Sequence, residues 1–194
     1  MKFVELTPFI KQVLSSRLSG KIASLDVGKK HIGVALCDES KYFVNPITTL
    51  SRSALPEVVH NLTSKKDHRM SKSSLNALSK KLQGIIDKEH VCGLVVGIPL
   101  LDGKPTPFCT EVVDLMLQLQ CFMPEKYMNG DVHNIANEMI FTFWDEQYST
   151  MEARRLVAQR TESRNVFLKQ KDSMAAAVIM HKFLSFAQNK NLNN

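Results

Sequence analysis

The sequence lacks the marks of several protein classes. No apolar run approaches the roughly 18 residues that a membrane-spanning helix needs, and the N-terminus has no continuous apolar core of signal-peptide type. Four cysteines among 194 residues form no Cys-x-x-Cys pair, which argues against a zinc site and a disulfide scaffold. We therefore expect a soluble intracellular protein with no membrane partner, cytoplasmic by default. Because residues 1–21 are basic, a chloroplast or mitochondrion is the alternative.

The composition is that of a folded, basic, single domain. Hydrophobic residues make up 44% and charged residues 23% of the chain, as in ordinary globular proteins. Lys and Arg exceed Asp and Glu by 25 to 19, which gives a net charge of +6 and favours a polyanionic partner such as a nucleic acid. The length fits one domain of ~100–200 residues, and it excludes a protein with two large lobes.

Hydrophobic periodicity predicts an α/β order of elements. We expect an amphipathic helix over 3–18, then three short strands, then helices that alternate with two further strands. The predicted strands cover 22–27, 31–37, 42–50, 91–99 and 140–148, and the later helices cover about 75–86, 110–119, 149–159 and 172–186. We divide the chain into an N-terminal helical extension (1–20), one domain (21–187) with a surface insertion at about 121–138, and a polar tail (188–194).

The connections between these elements predict the topology of the sheet. Short turns join the first three strands into an antiparallel meander, and helical connections imply crossovers to parallel strands. The predicted fold is a five-stranded mixed sheet with helices on both faces. Pro46 cannot donate a ladder hydrogen bond, so the third strand is expected at an edge. Ligands of such sheets bind beyond the carboxyl ends of the strands, where the strand order reverses.

Acidic residues occur at these strand ends. Asp26 closes the first strand, Asp145 and Glu146 end the last strand, and Asp172 stands at the start of the final helix. Plainer interpretations are open: Asp26 as a turn residue, Glu146 as a surface charge, and Asp172 as a helix N-cap. Successive strand side chains point to opposite faces, so Asp145 and Glu146 cannot both face one site.

Carboxylates that converge from three elements repel one another unless cations neutralise them. Hard oxygen ligands favour Mg²⁺ or Mn²⁺. Two such ions ~3.5–4 Å apart can clamp the attacking and leaving oxygens of a phosphodiester. Acidic metal ligands in a net-basic protein therefore point to a polyanionic substrate whose backbone is held by Lys and Arg.

At these residues the sequence resembles the YqgF (RuvX) family of Holliday-junction-resolvase-like proteins, which have the ribonuclease H fold. Its bacterial members are described as pre-16S rRNA nucleases. The resemblance covers roughly 21–186. The matching segments are an Asp-x-Gly hairpin at 23–35, the third-strand Pro46, Leu-Val-Val-Gly-Ile-Pro at 94–99 with Asp102-Gly103, Asp-Glu-Gln-Tyr-Ser-Thr at 145–150, and Lys-Asp-Ser-Met-Ala-Ala at 171–176.

The resemblance implies a ribonuclease H-like fold and metal-dependent hydrolysis of phosphodiester bonds by a metal-activated water. It assigns Asp26, Glu146 and Asp172 as the catalytic and metal-binding set, with two Mg²⁺ or Mn²⁺ ions as cofactor. Asp145 carries over as a further metal-binding candidate. The implied partner is structured RNA, a ribosomal RNA precursor, and branched DNA is the alternative substrate.

Two positions depart from the family pattern. The family usually has Arg where this chain has His31, after the hairpin turn, and Gln147, within Asp-Glu-Arg. Arg offers a permanent charge and a bidentate fork for phosphate, whereas His is mostly neutral at pH 7. We therefore expect turnover and substrate preference to depend on these positions. The predicted nucleic-acid-binding residues are Lys29, Lys30, His31, Lys65, Lys66, Arg69, Gln147 and Thr150, several of them in or near a basic stretch over 63–90.

Two other functions stay open on the sequence. The first is a catalytically weak nucleic-acid-binding domain of the same fold. The second is an actin-like or sugar-kinase-like ATPase, because Asp-x-Gly also opens a phosphate loop in those proteins. The ATPases need two lobes, and the segment Gly28–Gly33 lacks the Gly-Lys-Ser/Thr ending of a P-loop.

Overall fold

The computed structural model describes residues 1–14, 20–52, 70–123, 139–146 and 164–192, with side chains of the last segment from 170 to 190. The strands are β1 (Lys2–Phe3), β2 (Lys21–Val27), β3 (His31–Cys37), β4 (Val44–Ser51), β5 (Val91–Ile98), β6 (Leu100–Leu101), β7 (Lys104–Pro105) and β8 (Ile140–Asp145), and the helices are α1 (Leu6–Leu14), α2 (Lys72–Glu89), α3 (Pro107–Phe122) and α4 (Arg164–Leu192). The helix predicted over 149–159 and most of the predicted insertion lie outside the described residues.

The main sheet has the strand order β1-β8-β5-β2-β3-β4, and β6 and β7 form a separate small hairpin. β2, β3 and β4 pair antiparallel, whereas β5 pairs parallel with β2 on one side and with β8 on the other. This is the predicted meander with two crossover strands, so the fold class is confirmed. The strand order reverses between β2 and β5, beside the carboxyl end of β2.

β1 is a sixth strand that the hydrophobic pattern did not predict. Lys2 and Val4 donate their backbone N–H groups to the carbonyls of Met139 and Phe141, each at 2.8 Å, and the ring of Phe3 packs on Phe141. The predicted helix over 3–18 is therefore wrong at its start, since Phe3 pairs with the otherwise open edge of β8. A two-residue strand has no period from which it could have been recognised.

Helices cover both faces of the sheet, as predicted. On one face α2 and α3 pack Leu82 and Met116 onto Leu94 and other β2, β3 and β5 side chains. On the other face α1 and α4 pack Phe9 and Phe183 together, with ring centroids 5.8 Å apart. No helix in the described segments is long and apolar enough to cross a membrane.

Pro46 occupies the edge position that its missing N–H group requires, because β4 is the last strand of the sheet. The register shifts beside it: Ala35 pairs with Pro46 and Val34 pairs with Thr48, which leaves Ile47 as an extra residue. Such a bulge bends the edge of the sheet and absorbs the proline.

α4 begins earlier and ends later than the sequence pattern indicated. It runs from Arg164 to Leu192, so Asp172 lies in its interior and the N-cap interpretation of Asp172 is wrong. The helix also includes most of the predicted polar tail. Gln188 donates to the Lys41 carbonyl at 3.2 Å, a contact that attaches this end of α4 to the β3–β4 turn.

Candidate active site

Asp26 lies at the carboxyl end of β2, where the strand order reverses. Its residue exposure is 8%, and it pairs across β2 and β3 with Gly33. Burial of a carboxylate at this point is unfavourable unless a donor or a cation compensates it. The hairpin turn that begins two residues later, at Gly28, is closed by a 2.8 Å bond from the Gly28 N–H group to the His31 carbonyl.

Glu146 follows β8 directly and turns toward Asp26. Its N–H group donates to the Ile98 carbonyl at 3.1 Å, which fixes the backbone where the strand ends. Space for its side chain comes from Gly97: a Cβ atom there would lie 2.5 Å from the Glu146 Oε2 atom. Gly97 therefore provides the room in which the Glu146 carboxyl group lies.

Asp172 reaches the same region on helix α4 because Gly33 allows the helix to approach. A Cβ atom on Gly33 would overlap the Asp172 carbonyl group. Since Gly33 is the register partner of Asp26, this close approach places Asp172 beside the end of β2. The Asp172 carboxyl group lies 3.7 Å from His31 Nδ1 and 3.8 Å from Lys171 Nζ.

The Asp26 and Glu146 carboxyl groups share a hydrogen bond that the protonated Glu146 donates to Asp26. Burial, together with the nearby charge of Asp172, raises the pKa of Asp26 to about 6. Burial and the charge of Asp26 raise the pKa of Glu146 to about 8. The pair therefore holds a proton at neutral pH, as closely spaced carboxyl groups do.

Asp145 stands beside this pair and not within it. It pairs with Ile98 across β5 and β8, and the alternation along β8 places it on the opposite face from Trp144, whose ring packs on Phe183 of α4. Its charge contributes to raising the pKa of Glu146. The expectation that Asp145 and Glu146 face opposite ways agrees with this arrangement.

The oxygen chemistry of the site suits a divalent metal. Carboxylates are the protein ligands that Mg²⁺ and Mn²⁺ prefer, and the buried Oε2 atom of Glu146 has no hydrogen-bond partner among the described residues. Within the described segments, however, no three His, Cys, Asp or Glu side chains lie close enough together to hold one ion. The structure brings Asp26 and Glu146 into contact and leaves Asp172 nearby, where it pairs with His31 and Lys171.

Cationic side chains lie on and near the hairpin turn, and the charge of Lys171 acts on Asp26. Lys29 and Lys30 are exposed on the turn, and His31 is 39% exposed where β3 begins. Lys171 was not predicted, because it precedes Asp172 on what the sequence presented as a helix boundary. The other predicted nucleic-acid contacts lie outside the described residues: Lys65, Lys66, Arg69, Gln147 and Thr150.

Comparison with known proteins finds a matching family model and named relatives. A family model described as RuvX, Holliday junction resolvase, matches residues 59–186. A Bartonella bacilliformis protein named "Putative pre-16S rRNA nuclease" is 32% identical over 183 residues, 92% of this chain and 91% of its own length. A protein of the same name from Carboxydothermus hydrogenoformans is 30% identical over 167 residues, 86% of this chain and 96% of its own.

Comparison with solved structures gives matches of lower similarity. The yeast mitochondrial Holliday junction resolvase Ydc2 has a TM-score of 0.46 and 14% identity, and the match covers 95% of this chain and 87% of that one. The RuvC structure from Thermus thermophilus has a TM-score of 0.47 and 9% identity, over 87% of this chain and 96% of that one.

Proposed function

Because the chain belongs to the RuvX family of Holliday junction resolvases, we propose that it is a metal-dependent nuclease that hydrolyses phosphodiester bonds in structured nucleic acid. Its biological substrate on this proposal is a ribosomal RNA precursor, since relatives that cover nearly the whole chain are named for pre-16S rRNA. Branched DNA is the second candidate, which the description of the family model favours.

One observation carries the proposal: the buried carboxyl group of Asp26 and the half-buried carboxyl group of Glu146 are in contact at the ends of β2 and β8. Burial of such a pair costs free energy and adds nothing to an apolar core. Strongly perturbed carboxyl groups in a crevice beyond strand ends are typical of catalytic sites. Asp172, on the helix that closes over Gly33, supplies a third carboxylate within electrostatic reach.

In this proposal Asp26, Glu146 and Asp172 hold the metal, as two Mg²⁺ or Mn²⁺ ions, and Asp145 supports them. When bound there, the metal would neutralise the carboxylates, stabilise charge at the phosphoryl group and activate water. Glu146 must lose its proton before it can act as a ligand, which its burial and its contact with Asp26 oppose below about pH 8. The exposed Lys29 and Lys30 hold substrate phosphates beside the acids.

The test is cleavage by the full chain of a labelled structured RNA and a four-way DNA junction, with Mn²⁺, with Mg²⁺ and with a chelator. We expect cleavage that requires the metal, that Asp26→Asn abolishes, and that Glu39→Gln leaves intact. Glu39 is an exposed acid in the β3–β4 turn, at the opposite end of the sheet. Comparison of the two substrates decides between RNA and DNA.

His31 favours one alternative function. At this position, 3.7 Å from Asp172, a His replaces the permanently charged Arg that is usual in the family, and it would bind phosphate less strongly. A catalytically weak nucleic-acid-binding domain would bind the same substrates with a steep salt dependence and cut neither. That result, obtained with both metals, would exclude the nuclease proposal.

A further inference from the structure

Arg52 is a buried arginine at the back of the hairpin turn. It follows β4 directly and is 7% exposed, although arginine is rarely buried without a specific partner. Its side chain is removed from water, which lowers the pKa of the guanidinium, while the charge of Glu111 on α3 acts in the opposite direction. The guanidinium nevertheless stays charged at any physiological pH.

The contacts of Arg52 converge on the turn between Asp26 and His31. Its guanidinium Nη1 donates to the Gly28 carbonyl at 2.9 Å. Its backbone N–H group donates to the Lys30 carbonyl at 2.9 Å. The same residue therefore holds both the first and the third residue of the turn that carries Lys29 and Lys30.

Arg52 contacts the turn from the face of the sheet opposite to Asp172. Leu50, two residues earlier on β4, points into the core under α2 and α3, and side chains two apart share a face. Asp26 and Gly33 face α4 instead. The guanidinium thus lies behind the site, where it cannot contact the acidic pair across the sheet.

The surroundings of Arg52 indicate that its guanidinium bonds the turn and does not form a hydrogen-bonded ion pair with Glu111. Its Nε atom and the Oε2 atom of Glu111 are both buried, and neither has a hydrogen-bond partner within the described segments. A plain structural ion pair would satisfy these atoms against each other. The hydrogen bond that the guanidinium does make goes to the turn, at the Gly28 carbonyl.

We propose that Arg52 is a positioning residue for the nuclease site: its guanidinium fixes the 28–30 turn from behind, and so fixes Asp26, Lys29 and Lys30 relative to the scissile phosphate. This inference rests on the proposed function. The end of β2 and the turn are continuous, so a loosened turn displaces both the metal-binding carboxylate and the two lysines. A displacement of about 1 Å can lower turnover roughly a hundredfold.

The alternative is that Arg52 only stabilises the fold, and Leu50 provides the matched control. Leu50 is also 7% exposed and lies two residues before Arg52, on the same face of the sheet. Arg52→Ala, Arg52→Gln and Leu50→Ala are compared at a temperature where thermal melts show all of them folded. The Gln variant keeps one N–H donor for the Gly28 carbonyl and loses the charge.

We expect Arg52→Ala to lower turnover per folded molecule by between about tenfold and a hundredfold, Arg52→Gln to lower it less, and Leu50→Ala to lower only the melting temperature. Millimolar ethylguanidinium should restore part of the turnover to Arg52→Ala and none to Leu50→Ala. Equal turnover losses in Arg52→Ala and Leu50→Ala, or unchanged turnover in Arg52→Ala, would overturn the proposal.

Amide hydrogen exchange separates a failure of this inference from a failure of the proposed function. In Arg52→Ala the amides of 28–31 should exchange faster while the core of β5 keeps its protection. Mn²⁺ affinity, measured by calorimetry, should fall in the same variant and recover with ethylguanidinium. If the wild type cuts nothing, the nuclease proposal fails, and these two readouts still decide whether Arg52 positions the turn: uniform exchange and unchanged affinity would refute it.

Discussion

The two ends of strand β2 differ in how they satisfy their polar groups. At its start, Lys21 Nζ bonds Glu89 at 2.8 Å, the Ile22 N–H group donates to Cys37 Sγ at 3.2 Å, and Cys92 Sγ donates to the Lys21 carbonyl at 3.4 Å. Burial raises the pKa of Cys37 to about 11, so the thiol stays neutral. Each of these polar groups therefore has a hydrogen-bond or ion-pair partner.

At the other end of β2, the acids are not matched in this way. The buried Asp26 and the half-buried Glu146 contact each other and have raised pKa values, and the buried Oε2 atom of Glu146 lacks a hydrogen-bond partner among the described residues. The polar groups at the start of β2 are therefore stabilised by their partners, whereas the carboxyl groups at its other end cost free energy. Such a cost is characteristic of catalytic and ligand-binding sites.

The largest effect expected from this comparison is on catalysis. Glu146→Gln removes a proposed metal ligand worth several kcal/mol of transition-state stabilisation, so cleavage should fall about a thousandfold. Glu89→Gln removes a carboxylate that pairs with Lys21 and Lys88 at the opposite end, and cleavage should change less than about twofold, as for other surface ion pairs. Initial rates on one labelled RNA measure both. Equal losses would show that the two ends do not differ in role.

Two glycines of β5 allow the site and the core to be compared within one strand. A Cβ on Gly97 meets the Glu146 carboxyl at 2.5 Å, whereas a Cβ on Gly93 meets the Phe9 ring and Val13 at 3.1 Å. Gly97→Ala should therefore displace Glu146 and lower turnover about a hundredfold. Gly93→Ala should lower stability by about 1–3 kcal/mol through overpacking and preserve turnover per folded molecule. Denaturant melts and rates on both variants test this, and lost turnover in Gly93→Ala alone would contradict it.

The glycines also show what the sequence could and could not predict. The positions of Asp26 and Glu146 near the ends of β2 and β8 were predictable from the apolar runs of these strands, although β8 ends at Asp145, before the predicted end at 148. Gly33 and Gly97 were not, since the atoms that fill their missing side-chain volumes come from distant parts of the chain. Arg52 was missed because a single polar residue after a strand has no period to show that it is buried.

Asp172 illustrates a second limit. Asp before a run of small apolar residues is a preferred N-cap, so local chemistry favours a helix start at that point. The helix instead continues from Arg164. Packing of its backbone on Gly33 determines where Asp172 lies, and no local pattern reports that contact. Pro46 is the opposite case, because its missing N–H group alone was enough to predict an edge strand.

A smaller effect is expected on stability as a function of pH. The folded pKa values of Asp26 and Glu146, about 6 and about 8, exceed their ordinary values. The folded state therefore binds more protons than the unfolded state, and stability should fall by several kcal/mol as pH rises from about 5 to 8. Glu146→Gln should flatten this decline, and added Mn²⁺ should reverse it.

At the other end of β2, Glu89 changes the stability with pH in the opposite direction. Its bond to Lys21 lowers the pKa of Glu89, so the stability that it contributes is present above its ordinary pKa and is lost as pH falls. Thermal melts in chelator from pH 4 to 8, for wild type and both Gln variants, separate the two ends. A wild-type melting temperature that rises steadily toward pH 8 would contradict the raised pKa values.

The smallest effect concerns the lysines. Lys29 and Lys30 are exposed on the hairpin turn that follows Asp26, whereas Lys88 lies 3.7 Å from Glu89 at the far end of the sheet. Lys29→Ala with Lys30→Ala should weaken RNA binding about tenfold and lower the salt slope by up to ~2. Lys88→Ala should change neither. Affinities at several salt concentrations measure this; an equal change in Lys88→Ala would place the substrate elsewhere.

The most direct test of the proposed metal site is to locate a metal ion at the carboxyl end of β2, beside Asp26. Crystals of the full chain soaked in Mn²⁺ would give anomalous scattering that marks each bound ion. We predict a peak in contact with carboxylate oxygens of both Asp26 and Glu146, and its loss in Glu146→Gln. Peaks only elsewhere, with the Asp26 and Glu146 carboxyl groups still in contact with each other, would contradict the assignment of this end as a metal-dependent nuclease centre.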